Sequence, residues 1–233
     1  MINMNKLIQE ILAKIDYRLS KRANSRPQYQ VEMILSKLKK IHNFPFKNLL
    51  DVGGGYDGRY RGVLEKVAKK YQNLEIEKGK NVDIVGSVYK LPLKPSTYDL
   101  VTNFMVLEHL NKPLDALQEC HRVLDRKGYI ALTTVQYWHT HSYPSDYYRY
   151  TRYGLEYLFK EAGFKIIDMW SHGAPYLVVF HAIELNIPDS FRTIYSIFFY
   201  GLMNWLDWVF FRHEDKRKPN NDSVGWSVIA QKI

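Results

Sequence analysis

The segment Leu49-Leu-Asp-Val-Gly-Gly-Gly-Tyr-Asp-Gly58 constrains the fold more than any other stretch of this chain. An apolar run carries an acidic residue near its end, and glycines follow where the backbone must turn tightly or pass close to a ligand. From Asn48 the sequence reads as a strand, a glycine-rich turn and a helix from about Tyr60 to Tyr71, one β-loop-α unit. Further strands are expected at Leu74 to Ile76, Tyr98 to Asn103, Tyr129 to Thr134, Phe164 to Trp170 and Trp226 to Ala230. Helical segments fall near Pro113 to Leu124 and Gly154 to Ala162, the latter closed by Gly163. Strands alternating with helices predict an α/β protein whose mostly parallel sheet is covered on both faces.

Additions flank this unit. Leu7, Ile8, Ile11, Leu12 and Ile15 recur with helical period, and Met33, Ile34, Leu35, Leu38 and Ile41 repeat the pattern after Pro27. Residues 1–47 are therefore expected to form an N-terminal helical cap. The α/β domain is expected over 48–170 and 224–233. The interval 171–223 is too long for a hairpin and predicts an apolar helical insertion.

The 233 residues are enough for one well-filled α/β core. The net charge of +9 favours anionic partners, but the cations are scattered in small groups such as Lys21-Arg22, Lys39-Lys40, Lys69-Lys70 and Lys216-Arg217-Lys218. Nucleic-acid enzymes concentrate them in a stripe, so no nucleic-acid partner is expected. Cys120 is the only cysteine, which excludes an intrachain disulfide and a cysteine metal cluster and fits a reducing compartment. Charges at Lys6, Glu10, Lys14, Asp16 and Arg18 interrupt the start, so a signal peptide is not expected and the location is read as cytoplasmic.

About two dozen residues beyond Asp51, Glu75 ends the expected second strand, where a carboxylate can accept hydrogen bonds from both hydroxyls of a ribose. Gly53-x-Gly55-x-x-Gly58 also fits a dinucleotide fingerprint, so an NAD-dependent dehydrogenase is the competing reading. Asp51 argues against it. A carboxylate there would repel a pyrophosphate but suits the cationic amine of a methionine moiety.

In these features the chain resembles the class I S-adenosylmethionine-dependent methyltransferases of the ubiquinone-biosynthesis type. Val82-Asp-Ile-Val-Gly-Ser87, Leu91-Pro-Leu93 and Tyr98-Asp-Leu-Val101 resemble that family's third strand, connecting loop and fourth strand. Val106-Leu-Glu-His-Leu110 and His121-Arg-Val-Leu124 with Gly128 resemble the segments that follow. The resemblance covers Asn48 to Gly163 and the last strand. It implies a Rossmann-like seven-stranded sheet and S-adenosylmethionine as cofactor. It places Asp51, Gly53 and Gly55 at the methionine end, Glu75 and Ile76 at the ribose and adenine, Ser87 and Val88 at the adenine edge, and Asn103 at the end of the fourth strand. Ser87 stands where many relatives have an acidic residue, and Asp57 where many have glycine.

Acceptors in such folds meet loops at the carboxyl ends of strands, which points to Trp138-His-Thr-His-Ser-Tyr-Pro-Ser-Asp-Tyr-Tyr-Arg-Tyr-Thr151. His139, His141 and Asp146 are candidates for a base and its orienting partner, and Arg149 for binding an anionic acceptor. The alternative is a structural Asp146–Arg149 pair. The run Pro144 to Thr151 also resembles a loop in a bacterial and archaeal branch associated with surface-polysaccharide or glycolipid synthesis, which implies a glycan or lipid-linked acceptor. Small-molecule or quinone-type carbon and nitrogen methylation is the alternative, and a non-catalytic cofactor-binding protein a third reading. His109 reads as structural. No metal site is expected, because no histidine or carboxylate set has zinc-ligand spacing.

Thr193 to Phe211 is long and apolar enough to raise a membrane span. Asn204 and Asp207 oppose one. Thr193, Ser196, Tyr200, Asn204 and Asp207 follow steps of three and four, so a helix gathers them into a polar stripe. Residues 193–211 are thus read as packing on the domain, as a homodimer contact, or as a peripheral contact with the inner face of a membrane.

Overall fold

A computed structural model describes residues 10–12, 14–15, 27–172, 176–184, 186–206 and 223–233. Seven strands form one sheet: β1 (Phe46–Val52), β2 (Ala68–Glu75), β3 (Ile84–Val85), β4 (Tyr98–Phe104), β5 (Leu124–Val135), β6 (Phe164–His172) and β7 (Gly225–Lys232). Their order across the sheet is β3-β2-β1-β4-β5-β7-β6. All neighbours are parallel except β7, which runs antiparallel between β5 and β6. The chain builds outward from β1 to β3 and then crosses to β4, so the switch point lies between β1 and β4. Ligands of open α/β sheets bind outside the strand ends at such a point.

The helices are α1 (Pro27–Ile41), α2 (Arg61–Leu64), α3 (Pro113–Val123), α4 (Arg152–Glu161), α5 (Tyr176–Glu184) and α6 (Asp189–Leu206). Strand alternation sorts the core into two layers. Leu49, Leu100, Ala131 and Ile229 face Val31, Ile34 and Leu38 of α1 together with Leu64. Their neighbours Leu50, Val101, Ile130, Leu132, Val228 and Ala230 face the opposite way, toward Leu117 and Cys120 of α3 and Leu155 and Phe159 of α4. The helices before β1, between β4 and β5, and after β5 are thus kept in place by a period of two along the strands and one apolar stripe on each helix.

One unit departs from its sequence reading. The helix expected from Tyr60 to Tyr71 is a single turn, Arg61–Leu64, and β2 begins at Ala68 rather than at Leu74. Tyr60, Leu64, Val67 and Ala68 are all buried and mimic a helical stripe. Parallel pairing with β1, from Phe46 against Ala68 to Val52 against Leu74, overrides that local pattern. The first expected N-terminal helix lies largely outside the described residues.

Between β6 and β7 the chain forms α5 and α6, which pack through Phe180 against Tyr195, Phe199 and Tyr200. Ser196 and Tyr200 of the expected polar stripe are buried, while Phe191, Ile194, Phe198, Leu202 and Trp205 are exposed at steps of three and four. The helix therefore turns polar positions inward and an apolar row outward. Asp207 lies outside the described residues. No helix among the described residues is long and apolar enough to cross a membrane.

Leu100 sits fully buried at the centre of the sheet. Leu100→Ala should cost about 2–5 kcal/mol, read as a lower urea midpoint with an unchanged m value.

Candidate active site

The glycine turn leaves the end of β1 and is tied to β2 at every step. Gly53 N–H donates to the Leu74 carbonyl at 2.9 Å, Gly54 N–H to Asn73 Oδ1 at 3.2 Å, and Gly55 N–H to Glu75 Oε1 at 2.8 Å. The Asn73 amide returns a bond to the Gly55 carbonyl at 2.9 Å. Gly53 and Gly55 have φ of +77° and +83°, a region that side chains strain. At Gly53 a Cβ would run into Val106, and at Gly54 into the Asp51 carboxylate and Asn73.

Asp51 lies under this turn and is 1% exposed. Its carboxylate accepts from Thr102 Oγ1 at 2.6 Å and from the Tyr71 hydroxyl at 3.0 Å. Burial pushes its pKa up to about 6, against the lowering effect of these two donors. The same burial, with Asp51 alongside, raises the Tyr71 hydroxyl and keeps it a donor.

Above the turn is a cavity of about 360 Å³, lined by Gly53 of the turn, Glu75 and Ile76 at the end of β2, and Ser87 and Val88 after β3. Ile76 is 68% exposed, an uncommon state for a side chain just past a buried strand. Asp51, Gly55 and Asn103 do not line the cavity. Asp51 supports the turn from below, and Asn103 is 2% exposed with its Oδ1 unpartnered. The opposite wall includes residues not expected at the cofactor, among them Tyr89, Val106, His109, Asn111, Ser145 and Tyr147. Tyr89 and Asn111 are joined by a 2.8 Å side-chain bond, a long-range contact with no signal in local sequence.

The loop after β5 is pinned rather than free. Arg149 binds Asp146 through two parallel contacts of 2.6 and 2.8 Å. Arg149 also donates to the carbonyls of Trp138, His139 and Tyr148. Asp146 accepts in addition from the His141 N–H at 2.9 Å, and the Arg149 guanidinium holds its carboxyl well below the usual range. A carboxylate so engaged is a poor base, and a guanidinium so engaged is a poor anion receptor. Both groups are thus engaged in holding the loop, which argues against the base-partner and anion-binding roles expected of them. It fixes His141, whose ring lies 4.7 Å from that of His109. Burial lowers the pKa of His141, which favours its neutral form. His139 is exposed and lines a separate cavity of about 410 Å³ with Trp138, Val178 and His181.

The methyltransferase domain family matches residues 50–132. That match and the relative that follows support a methyltransferase domain of the class I S-adenosylmethionine-dependent kind. An uncharacterized methyltransferase of Schizosaccharomyces pombe is 36% identical to this chain over 84 residues, 36% of this chain and 30% of that protein. The chain spans less than half the length of the curated relatives it matches. The methyltransferase fold extends further than the sequence match. A crystal structure of a candidate sarcosine dimethylglycine methyltransferase from Galdieria sulphuraria covers 86% of this chain and 84% of its own, with a TM-score of 0.56 and 19% identity. The Burkholderia thailandensis 1,6-didemethyltoxoflavin-N1-methyltransferase, solved with S-adenosylhomocysteine, covers 87% of this chain and 78% of its own, with a TM-score of 0.54 and 14% identity. The residues present fit the cofactor: two glycines whose Cβ would be blocked, a carboxylate closing β2, and a cavity within the usual size range for such ligands.

Two expectations follow for the methyltransferase turn. Gly54→Ala should lower S-adenosylhomocysteine affinity roughly tenfold or more in calorimetric titration, with a stability loss of about 1–3 kcal/mol from strain. Because the pKa of Asp51 is raised, the folded protein keeps that proton where the unfolded chain has lost it. Its contribution to stability therefore falls as pH rises from about 4 through about 6. Melting temperatures of wild type and Asp51→Asn, followed across that window, should shift in favour of the variant as pH rises.

Proposed function

We propose that this chain transfers a methyl group from S-adenosylmethionine to a hydroxyl of a small-molecule, glycan or lipid-linked acceptor. One observation carries the reading: a single cavity is lined both by Gly53, Glu75 and Ile76 and by His109, Ser145 and Tyr147 of the segments that follow β4 and β5. The cofactor supplies a methyl group on a cationic sulfur, which leaves as a thioether when the acceptor oxygen takes the methyl and gives up its proton. Gly53 and Glu75 would hold its methionine and ribose parts, and Ile76, Ser87 and Val88 its adenine. The protein's share is to hold two reactants close and aligned. Tyr143, Tyr147 and Tyr148 are exposed on the loop after β5, and such rings suit stacking on a sugar.

The outward row of α6 favours a lipid-linked acceptor within this class. Phe191, Ile194, Phe198 and Trp205 are each more than half exposed, Arg192 stands beside the row, and Arg212, Lys216, Arg217 and Lys218 follow in the sequence. An apolar aromatic face next to cations matches an anionic membrane surface, at the inner membrane face.

Titration with S-adenosylhomocysteine and, in parallel, with NAD tests the central claim. Micromolar binding of the first and none of the second is expected, and NAD binding alone would overturn the reading. For the surface, sedimentation with vesicles containing phosphatidylserine should carry down the protein, and Phe198→Glu should reduce the bound fraction severalfold. Equal sedimentation of the variant would remove α6 from the membrane role.

A further inference from the structure

Glu108, His109 and His141 each present a ligand-capable atom, and the three atoms lie within 4.8 Å of one another. Glu108 and His109 belong to a helical turn, Leu107–His109, at the carboxyl end of β4. His141 comes from the loop after β5. That loop is clamped to the turn by Tyr147 N–H and Tyr148 N–H, which donate to the Glu108 carbonyl at 2.9 and 3.2 Å, and by the Tyr150 hydroxyl on the Leu107 carbonyl at 3.0 Å.

Both rings are oriented by backbone carbonyls. His109 Nδ1 lies 2.6 Å from the Ser145 carbonyl and His141 Nδ1 lies 3.1 Å from that of His139. A carbonyl only accepts, so each Nδ1 carries the hydrogen and each Nε2 keeps a lone pair. Histidine ligands to metals are held in this way, with the second nitrogen donating to a carbonyl or carboxylate. The third group is Glu108, which is fully buried. Its Oε2 accepts from Thr134 Oγ1 at 2.8 Å, while its Oε1 is buried with no partner. An unpaired carboxylate oxygen away from water is costly unless a cation or donor meets it.

We propose that Glu108, His109 and His141 bind one divalent transition-metal ion of the zinc type, beside the cavity that His109 lines. Two imidazoles and one carboxylate are the ligand set of open catalytic zinc sites, with a position left for water or substrate. The edges of a tetrahedron with bonds of about 2.0 Å measure about 3.3 Å, so the ligands must draw closer on binding. Rotation of the His141 side chain, with its backbone still held by Asp146, supplies that movement. The Asp146–Arg149 pair acquires a purpose here, since Asp146 holds the backbone N–H of His141. The reaction role rests on the methyl-transfer reading: an ion there would polarise an acceptor hydroxyl and ease loss of its proton to solvent. The metal site itself does not depend on that reading.

Full-length protein without an affinity tag, stripped with a chelator, is titrated with zinc against a chromophoric competitor. One equivalent should bind at micromolar affinity or tighter, with a rise in melting temperature. Cobalt in place of zinc should give the visible absorption of a four- or five-coordinate site. His141→Ala and Glu108→Gln should each weaken zinc binding by roughly tenfold or more. Absence of stoichiometric uptake by wild type, or undiminished uptake by folded His141→Ala, overturns the proposal. Should a variant fail to fold, the wild-type stoichiometry and cobalt spectrum still decide. S-adenosylhomocysteine titrated into the same samples separates the two readings. Metal uptake without it leaves the metal site standing and sinks the cofactor claim, and the converse result sinks the metal site.

Discussion

A carboxyl group out of contact with water organises the centre of this molecule. Asp51 belongs to β1, its two donors come from β2 and β4, and the turn that frames the cavity runs directly over it. Burying the group disfavours its charge, and two hydroxyls only partly offset that. The arrangement holds β2, β1 and β4 in fixed relation at their carboxyl ends. It also explains why a side chain cannot be added at Gly54: the space is already filled by the carboxylate that supports the turn.

The turn, the carboxylate at the end of β2 and the alternation of strands with helices were legible in sequence because each is a local pattern. Strands such as Tyr98–Phe104 and helices such as Pro113–Val123 are written in apolar periods that hold within a few residues. The stretch from Tyr60 to Tyr71 was misread for the same reason. Its apolar positions suit a helix, and only pairing with β1, a partner more than twenty residues away, makes its last four residues the start of a strand. The division of labour between Asp51 and Glu75 was likewise out of reach. Both are acidic residues close to strand ends, but one points into the core and the other lines the cavity.

The loop after β5 shows how chemistry-rich sequence can be spent on architecture. Asp146 and Arg149 are among its most reactive-looking members, yet they consume each other and the surrounding carbonyls. Their effect is to present His141 next to His109, 32 positions earlier, a pairing that no fixed spacing would reveal. On α6 the reversal is of another kind. The helical period was read from its polar residues, but which stripe faces inward is set by Phe180 of α5, whose ring packs on Tyr200.

The placement of β7 bears on how the chain comes together on the ribosome. Its residues Trp226, Val228, Ile229 and Ala230 are almost completely buried, and it lies between β5 and β6 and pairs with both. Until Gly225–Lys232 leaves the exit tunnel, β5 and β6 each carry an edge with unsatisfied backbone groups, and the two helices between β6 and β7 are already made. Open edges of that kind recruit other chains. A strand that arrives last but sits between two earlier ones therefore leaves those edges open well after the glycine turn has been translated.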